Sequence, residues 1–251
     1  MKPYCLKHQP KILFIAFFFL IATLSACTSN PSPEMVMDVP QKPVVINVGM
    51  TSALAQYEDA VKTCATDVEV LVDVLPWIRL QSAMEDVYIV YGDAGKEMPE
   101  YVYQIGESEL VYIVNPDLPI EEITLEQLKA IFNGEMVDWV EYAITSSYMG
   151  EIQPWGYMDN TEIMQAALEM MALPNPSGQW QVAPTPADVV DTVAQDQNAI
   201  GVVPNFAVTG DVRVLEINGL DSPAIPLLAI WDYEPGEAEQ NWLLCVQAAI
   251  E

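Results

Sequence analysis

Two periodicities alternate along this chain. Residues 44–48 are a short β-branched apolar run closed by Gly49, the pattern of a buried strand. A helical stretch follows, with Leu54, Tyr57, Val61 and Cys64 on one face. Residues 68–74 read as a second strand, a helix is expected around 79–84, and residues 86–91 form a third strand closed by Gly92-Asp93. Segments 101–105 and 110–114 are extended. Thr124-Leu-Glu-Gln127 is a capping box, and the helix it opens carries Leu125, Leu128, Ile131 and Phe132 before stopping at Gly134. Another helix starts near Thr161, with Ile163, Met164, Ala167, Leu168 and Met171 inward. Thr185-Pro186 combines an N-cap with a proline at the first helical position, and Val189, Val190 and Val193 face in. Strands are expected at 200–203, 212–217 and 225–231, and a closing helix at 237–250. Strands alternating with helices predict an α/β architecture with mostly parallel sheets.

The first 43 residues do not fit this pattern. Lys2, Lys7 and Lys11 precede a thirteen-residue apolar run from Ile12 to Leu24, too short to span a bilayer comfortably. Leu24-Ser25-Ala26-Cys27 follows. The basic region, the apolar core and the small residues before a cysteine resemble a bacterial lipoprotein signal. That resemblance implies cleavage after residue 26 and lipidation of Cys27, which would anchor the chain to the cell membrane. An ordinary secretory signal or an uncleaved anchor is the alternative. Residues 27–43, rich in proline, serine and asparagine, read as a flexible tether, and the folded domain is expected over 44–251.

Composition then narrows the chemistry. The 251 residues carry 36 acids and nine Lys plus Arg, a net charge of −27. Loss of residues 1–26 removes three lysines, leaving six bases and a net charge of −30, and it removes the single histidine, His8. Such acidity argues against nucleic acid, because phosphate backbones are bound by displacing counterions with Lys and Arg. Without histidine there is no Ser-His-Asp or Cys-His catalysis and no His-ligated zinc. Cys64 and Cys245 lie far apart and in no CxxC, so a Cys-rich metal site is not expected either. They can form a disulfide outside the cytoplasm or remain two buried thiols. No cofactor signature is present. Acid pairs are numerous, but none has a context that marks a hydrolase, so an enzyme is not expected.

Three stretches resemble the phosphate-binding (PstS-like) branch of type II periplasmic substrate-binding proteins. They are Val114-Asn115-Pro116 with Thr124, Ile131-Phe132-x-Gly134 and Trp139; Ala199-Ile200-Gly201-Val202; and Val214-Leu215-x-Ile217-Asn218-Gly219. The resemblance spans about residues 44–251. It implies a two-lobed α/β fold with an interlobe cleft, lobe 1 covering about 44–106 plus 204–251 and lobe 2 about 107–203. It also implies a monomeric receptor that closes on a solute and is recognised by an ABC permease.

In that family the anion is held mainly by backbone N–H groups, hydroxyls and one Arg. Three loops correspond here. Thr51 and Ser52 follow the first strand and could hold a ligand or simply cap a helix. Asp93 matches a residue that accepts the proton of a hydrogen phosphate. In the third loop Trp155 stands where Arg is expected and Asp159 where Ser is expected, while Thr161 matches, with Asn160 between. Replacing a bidentate Arg removes the strongest oxyanion contact, and a carboxylate repels an anion. Phosphate is therefore doubtful as the solute. Trp155 and Tyr157 beside Asp159 suit a cationic or amphipathic organic ligand. Asp159 as a plain helix cap in a degenerate cleft is the other reading. Two functions stand: a solute-binding lipoprotein of an ABC importer, or a surface lipoprotein using a degenerate domain of this kind for signalling or protein interaction.

Overall fold

The computed structural model describes residues 42–92, 101–141, 150–174, 176 and 180–250. Cys27 and Asp93 lie outside the described residues. In chain order the strands are β1 (Val44–Thr51), β2 (Val68–Leu75), β3 (Val87–Tyr91), β4 (Tyr101–Ser108), β5 (Leu110–Val114), β6 (Glu122–Thr124), β7 (Gln153–Gly156), β8 (Gln181–Val182), β9 (Ala199–Pro204), β10 (Arg213–Val214), β11 (Glu216–Asn218) and β12 (Ile225–Trp231). The helices are α1 (Glu58–Thr63), α2 (Trp77–Leu80), α3 (Leu125–Phe132), α4 (Glu162–Met170), α5 (Pro186–Gln195) and α6 (Glu237–Ile250).

The strands form two five-stranded sheets, β2-β1-β3-β12-β4 and β10-β5-β9-β7-β8, with a two-stranded ladder of β6 and β11 beside them. This is a two-lobed α/β fold. The sheets are mixed rather than mostly parallel. β1, β2 and β3 run parallel, as do β7, β8 and β9, but β12 lies antiparallel between β3 and β4, and β5 is antiparallel to β9 and β10. The reason is the double crossing of the chain. It leaves the first sheet on β4, enters the second on β5, and returns along β9, so an outgoing and an incoming strand must lie side by side. Leu110 pairs with Pro204 at that point. The Asn205 N–H donates to Glu109 O at 2.8 Å.

Most expected elements are present. Leu54, Val61 and Cys64 are buried as the periodicity predicts, although the first half of that helix is a 3₁₀ turn over Ser52–Tyr57. The Thr124 capping box is complete, with Thr124 N–H donating to Gln127 Oε1 at 2.7 Å and Gln127 N–H to Thr124 Oγ1 at 3.3 Å. Thr185 caps α5 in the same way, with Asp188 as its reciprocal partner. The inward residues expected on α4 are all buried. Two expectations change. The single strand at 212–217 is two short ones, because the chain changes partner at buried Leu215, from β5 to β6. Trp155 belongs to β7, an inner strand paired with β9 and β8, and not to a loop. The turn that follows it is the segment available to a ligand.

Gly201 is required by packing. A Cβ there would stand 2.5 Å from Val189 Cγ1 and 3.1 Å from Val193 Cγ2, so α5 can lie on β9 only over a glycine. Cys64 at the end of α1 and Cys245 in α6 are joined in a disulfide with Cα atoms 5.6 Å apart. The same two helices are linked by Trp242 Nε1–H donating to Val61 O at 3.1 Å. The crosslink closes a very long loop and therefore restricts the unfolded chain strongly. Cys245→Ser is expected to lower unfolding free energy by about 2–4 kcal/mol in urea titration. A non-reduced digest of the wild-type chain should yield the peptide pair containing these two cysteines.

Candidate functional site at the interlobe cleft

The parallel strands β1, β2, β7 and β8 each end against the same space, and the residues just past their carboxyl ends line it. The first lobe contributes Ser52, Ala53, Pro76 and Trp77; the second contributes Tyr157, Met158, Thr161, Glu162, Ile163 and the segment Val182-Ala183-Pro184. The cavity holds about 250 Å³. This is where sheets of this kind place ligands, because open N–H groups and loop side chains converge beyond the strand ends. Its wall is mainly apolar.

Local sequence explains how each wall is set. Gly156 ends β7, and a Cβ there would meet Met164 Sδ at 3.0 Å and Trp180 Cδ1 at 3.2 Å, so only glycine lets α4 and Trp180 close in. Trp180 Nε1–H then donates to Tyr157 O at 2.7 Å, fixing the first residue of the turn. Thr161 folds the turn back: its N–H and its hydroxyl both donate to Met158 O, at 3.0 and 2.9 Å. Thr161 is also the N-cap of α4, accepting from Met164 N–H.

The expected site residues separate. Ser52, Thr161 and Tyr157 line the cavity. Thr51 is fully buried at the end of β1, and its Oγ1 has no hydrogen-bond partner. It precedes the 3₁₀ turn without making a side-chain cap bond, so plain helix capping is not its role. Trp155 is half-buried against the core, with its Nε1 buried and unpartnered. Asp159 and Asn160 are exposed, and neither lines the cavity. Asp159 is not the cap of α4, which is Thr161.

The carboxylate at the cavity is Glu162, at the first position of α4, which the sequence reading passed over. Its Oε1 is closed off from solvent and unpartnered. Burial pushes its carboxyl above the ordinary carboxylate range. The nearby Thr51 hydroxyl and the Glu162 N–H favour the charged form, as does the helix terminus, but they do not overcome the loss of water. Tyr157, buried with its hydroxyl unpartnered, has its phenol pushed well up, first by burial and then by Tyr91, Asp188 and Glu162. Tyr91 OH is committed to Ser108 O at 3.1 Å, in the crossing segment. The unpartnered Tyr157 hydroxyl and Glu162 Oε1 thus belong to residues lining the cavity, with the Thr51 hydroxyl behind Glu162. Buried polar groups are normally satisfied, so these are the groups with bonding capacity to spare.

Among the described residues no cation lines the cavity beside Glu162. Lys62 pairs with Glu58 and Lys129 with Glu126 on helix surfaces. Arg213 donates to Leu118 O and Ile120 O at 2.9 and 2.6 Å, which pins the connection from β5 to β6. Among the described residues, no cluster of His, Cys, Asp and Glu could hold a metal ion.

Solved structures share this architecture. One from Clostridium perfringens, described as a phosphate ABC transporter substrate-binding protein with bound phosphate, superposes with a TM-score of 0.68 at 16% identity, over 80% of this chain and 92% of that one. An ABC-type phosphate transport receptor from Vibrio cholerae gives 0.58 at 12% identity, over 81% and 93%. The fold is that of the type II periplasmic binding proteins. The reduced regulatory domain of OxyR2 from Vibrio vulnificus also has it, with a TM-score of 0.55 at 11% identity over 82% and 96%, so the binding-protein fold serves both receptors and regulators. No protein-family model matches the sequence, and no curated protein matches it.

The raised pKa of Glu162 has a definite sign. The folded chain holds the proton to higher pH than the unfolded chain does, so the stability linked to this group is full below the ordinary carboxylate range. It is lost as pH rises through the raised value. Glu162→Gln is therefore expected to melt above the wild type at pH 7 to 8, with the gap closing as the pH falls to about 4; thermal melts across that range test it.

Proposed function

We propose that this chain is an extracytoplasmic solute-binding lipoprotein that delivers a small solute to an ABC-type importer. One observation carries the reading: at a cavity lined from both lobes, the Tyr157 hydroxyl and Glu162 Oε1 are buried and unpartnered, with the buried, unpartnered Thr51 hydroxyl behind Glu162. A domain that spends stability on unsatisfied polar groups at the strand ends is organised for an occupant. Crossing strands at residues 108–110 and 204–205 provide the hinge on which the lobes close. Residues 1–26 are the signal, Cys27 carries the lipid, residues 27–43 are the tether, and 44–251 bind. The disulfide fits an oxidising compartment. Among the described residues no helix is long and apolar enough to cross a membrane; in this reading the lipid is the anchor. The receptor acts as a monomer and presents its closed form to the permease. It is no enzyme.

The solute is not phosphate. Among the described residues no Lys or Arg lines the cavity, and Trp155 stands on β7 where the resemblance places an Arg. A second reading, a surface lipoprotein that uses this domain for signalling or protein contact, is favoured by the apolar rim, where Met158 and Val182 are each more than half exposed.

The test is a solute panel read by tryptophan-fluorescence melts of the full-length chain in detergent. The panel holds phosphate, sulfate, sugars, amino acids, carboxylates and amines. One class is expected to raise Tm by about 5–10 °C at 100-fold its Kd, while millimolar phosphate leaves it unchanged. A phosphate response would remove the argument from Trp155, and silence across the panel would favour the second reading. Cys27→Ser is expected to move the protein from the membrane fraction to the soluble fraction of cells.

A further inference from the structure

We infer that the solute taken by this cleft is a small organic cation, an ammonium compound with a compact apolar body, held by Glu162. The inference rests on the solute-binding reading above and narrows it to one ligand chemistry.

Charge is the first argument. Glu162 is the only charged side chain among the described residues lining the cavity. Its Oε1 is out of water and has no donor. A buried carboxylate without a counterion is strained electrostatically, and a cation is the species that relieves it. An anion placed beside it would instead face like-charge repulsion. Among the described residues no cation is supplied there: the lysines and arginines are Lys62, Arg79, Lys129 and Arg213, besides Lys42 at the domain edge, and none lines the cavity.

The wall is the second argument. Trp77 and Tyr157 bring two aromatic rings to a space containing one carboxylate, and Ile163, Ala183 and Pro184 make much of the rest apolar. Ammonium groups are attracted to aromatic faces, and their carbon substituents need an apolar wall. A sugar would need a polar partner for each hydroxyl, and this wall offers too few. The unpartnered Tyr157 hydroxyl oxygen can accept an N–H donor that the carboxylate leaves over. At about 250 Å³ the space is smaller than drug-sized pockets, which places the solute among simple amines.

The experiment uses 2-phenylethylamine, choline and putrescine as cationic probes, with 3-phenylpropionate and inorganic phosphate as anionic ones. Melts and calorimetric titrations are run on the full-length chain in detergent. At least one ammonium probe is expected to raise Tm and bind, and neither anion is. Glu162→Gln, which should fold at least as well as the wild type, is expected to weaken that ammonium probe by about 30-fold or more. Trp77→Leu, at a half-buried position that tolerates change, is expected to weaken it by about threefold to 30-fold. Binding of an anion, a sugar or another neutral solute with no ammonium response overturns the cationic class and leaves the solute-binding function standing. Ammonium binding unchanged in Glu162→Gln also overturns it. No response to any member of the wider panel overturns the solute-binding reading itself, and the cationic class with it.

Discussion

Two strands that carry the chain between its sheets are hydrogen-bonded to each other, and the rest of the architecture depends on that contact. Because β5 and β9 meet at Leu110 and Pro204, with Asn205 N–H on Glu109 O, the chain enters and leaves the second sheet's central pair at one place. Residues past the carboxyl ends of β1 and β2 and of β7 and β8 then line one cavity. The cavity needs no element of its own. Tyr91 reinforces the arrangement by donating from β3 to Ser108 O in the crossing segment, so a residue beside the cluster also touches the hinge.

The scaffold was legible in the sequence because its motifs do scaffold work that only certain side chains can do. Asn115 is buried and donates through Nδ2 to Val193 O and Ala194 O, at 3.2 and 2.8 Å, satisfying carbonyls in the last turn of α5. Its Oδ1 accepts Asp117 N–H at 3.0 Å. Trp139 is buried with its Nε1–H on Asn198 O at 2.9 Å. Thr124 caps α3, and Gly134, with φ of 70°, ends that segment where other residues are strained. These residues are fixed by backbone geometry, so their spacing betrays the fold even at very low identity. The same motifs say nothing of the ligand, since none of them lines the cavity.

The site was only partly legible, for a reason that lies in register. Thr51, Ser52, Tyr157 and Thr161 belong to the two turns that the sequence marks, and three of these four line the cavity while Thr51 stands against Glu162. Which acid points inward could not be read from the turn alone. Asp159 and Glu162 are three residues apart, and the difference between them is set by the way Thr161 folds back onto Met158 O. That bond turns Asp159 out to solvent and starts the helix so that Glu162 faces the first lobe. Trp77 was missed because it follows β2 through a proline in a four-residue helix, a feature with no periodicity to detect.

Net charge and site charge answer different questions in this protein. A chain with 36 acids and nine Lys plus Arg disfavours nucleic acid through its net charge. Solvated carboxylates select little, because water already satisfies them and salt screens them. Glu162 differs by having lost its water without gaining a partner. In the proposed reading, discrimination comes from that difference: a cation recovers an interaction that Oε1 lacks, whereas an anion adds a second charge of the same sign. A strongly acidic chain raises the local concentration of cations around the molecule, and on that reading the one acid at the cavity selects among them.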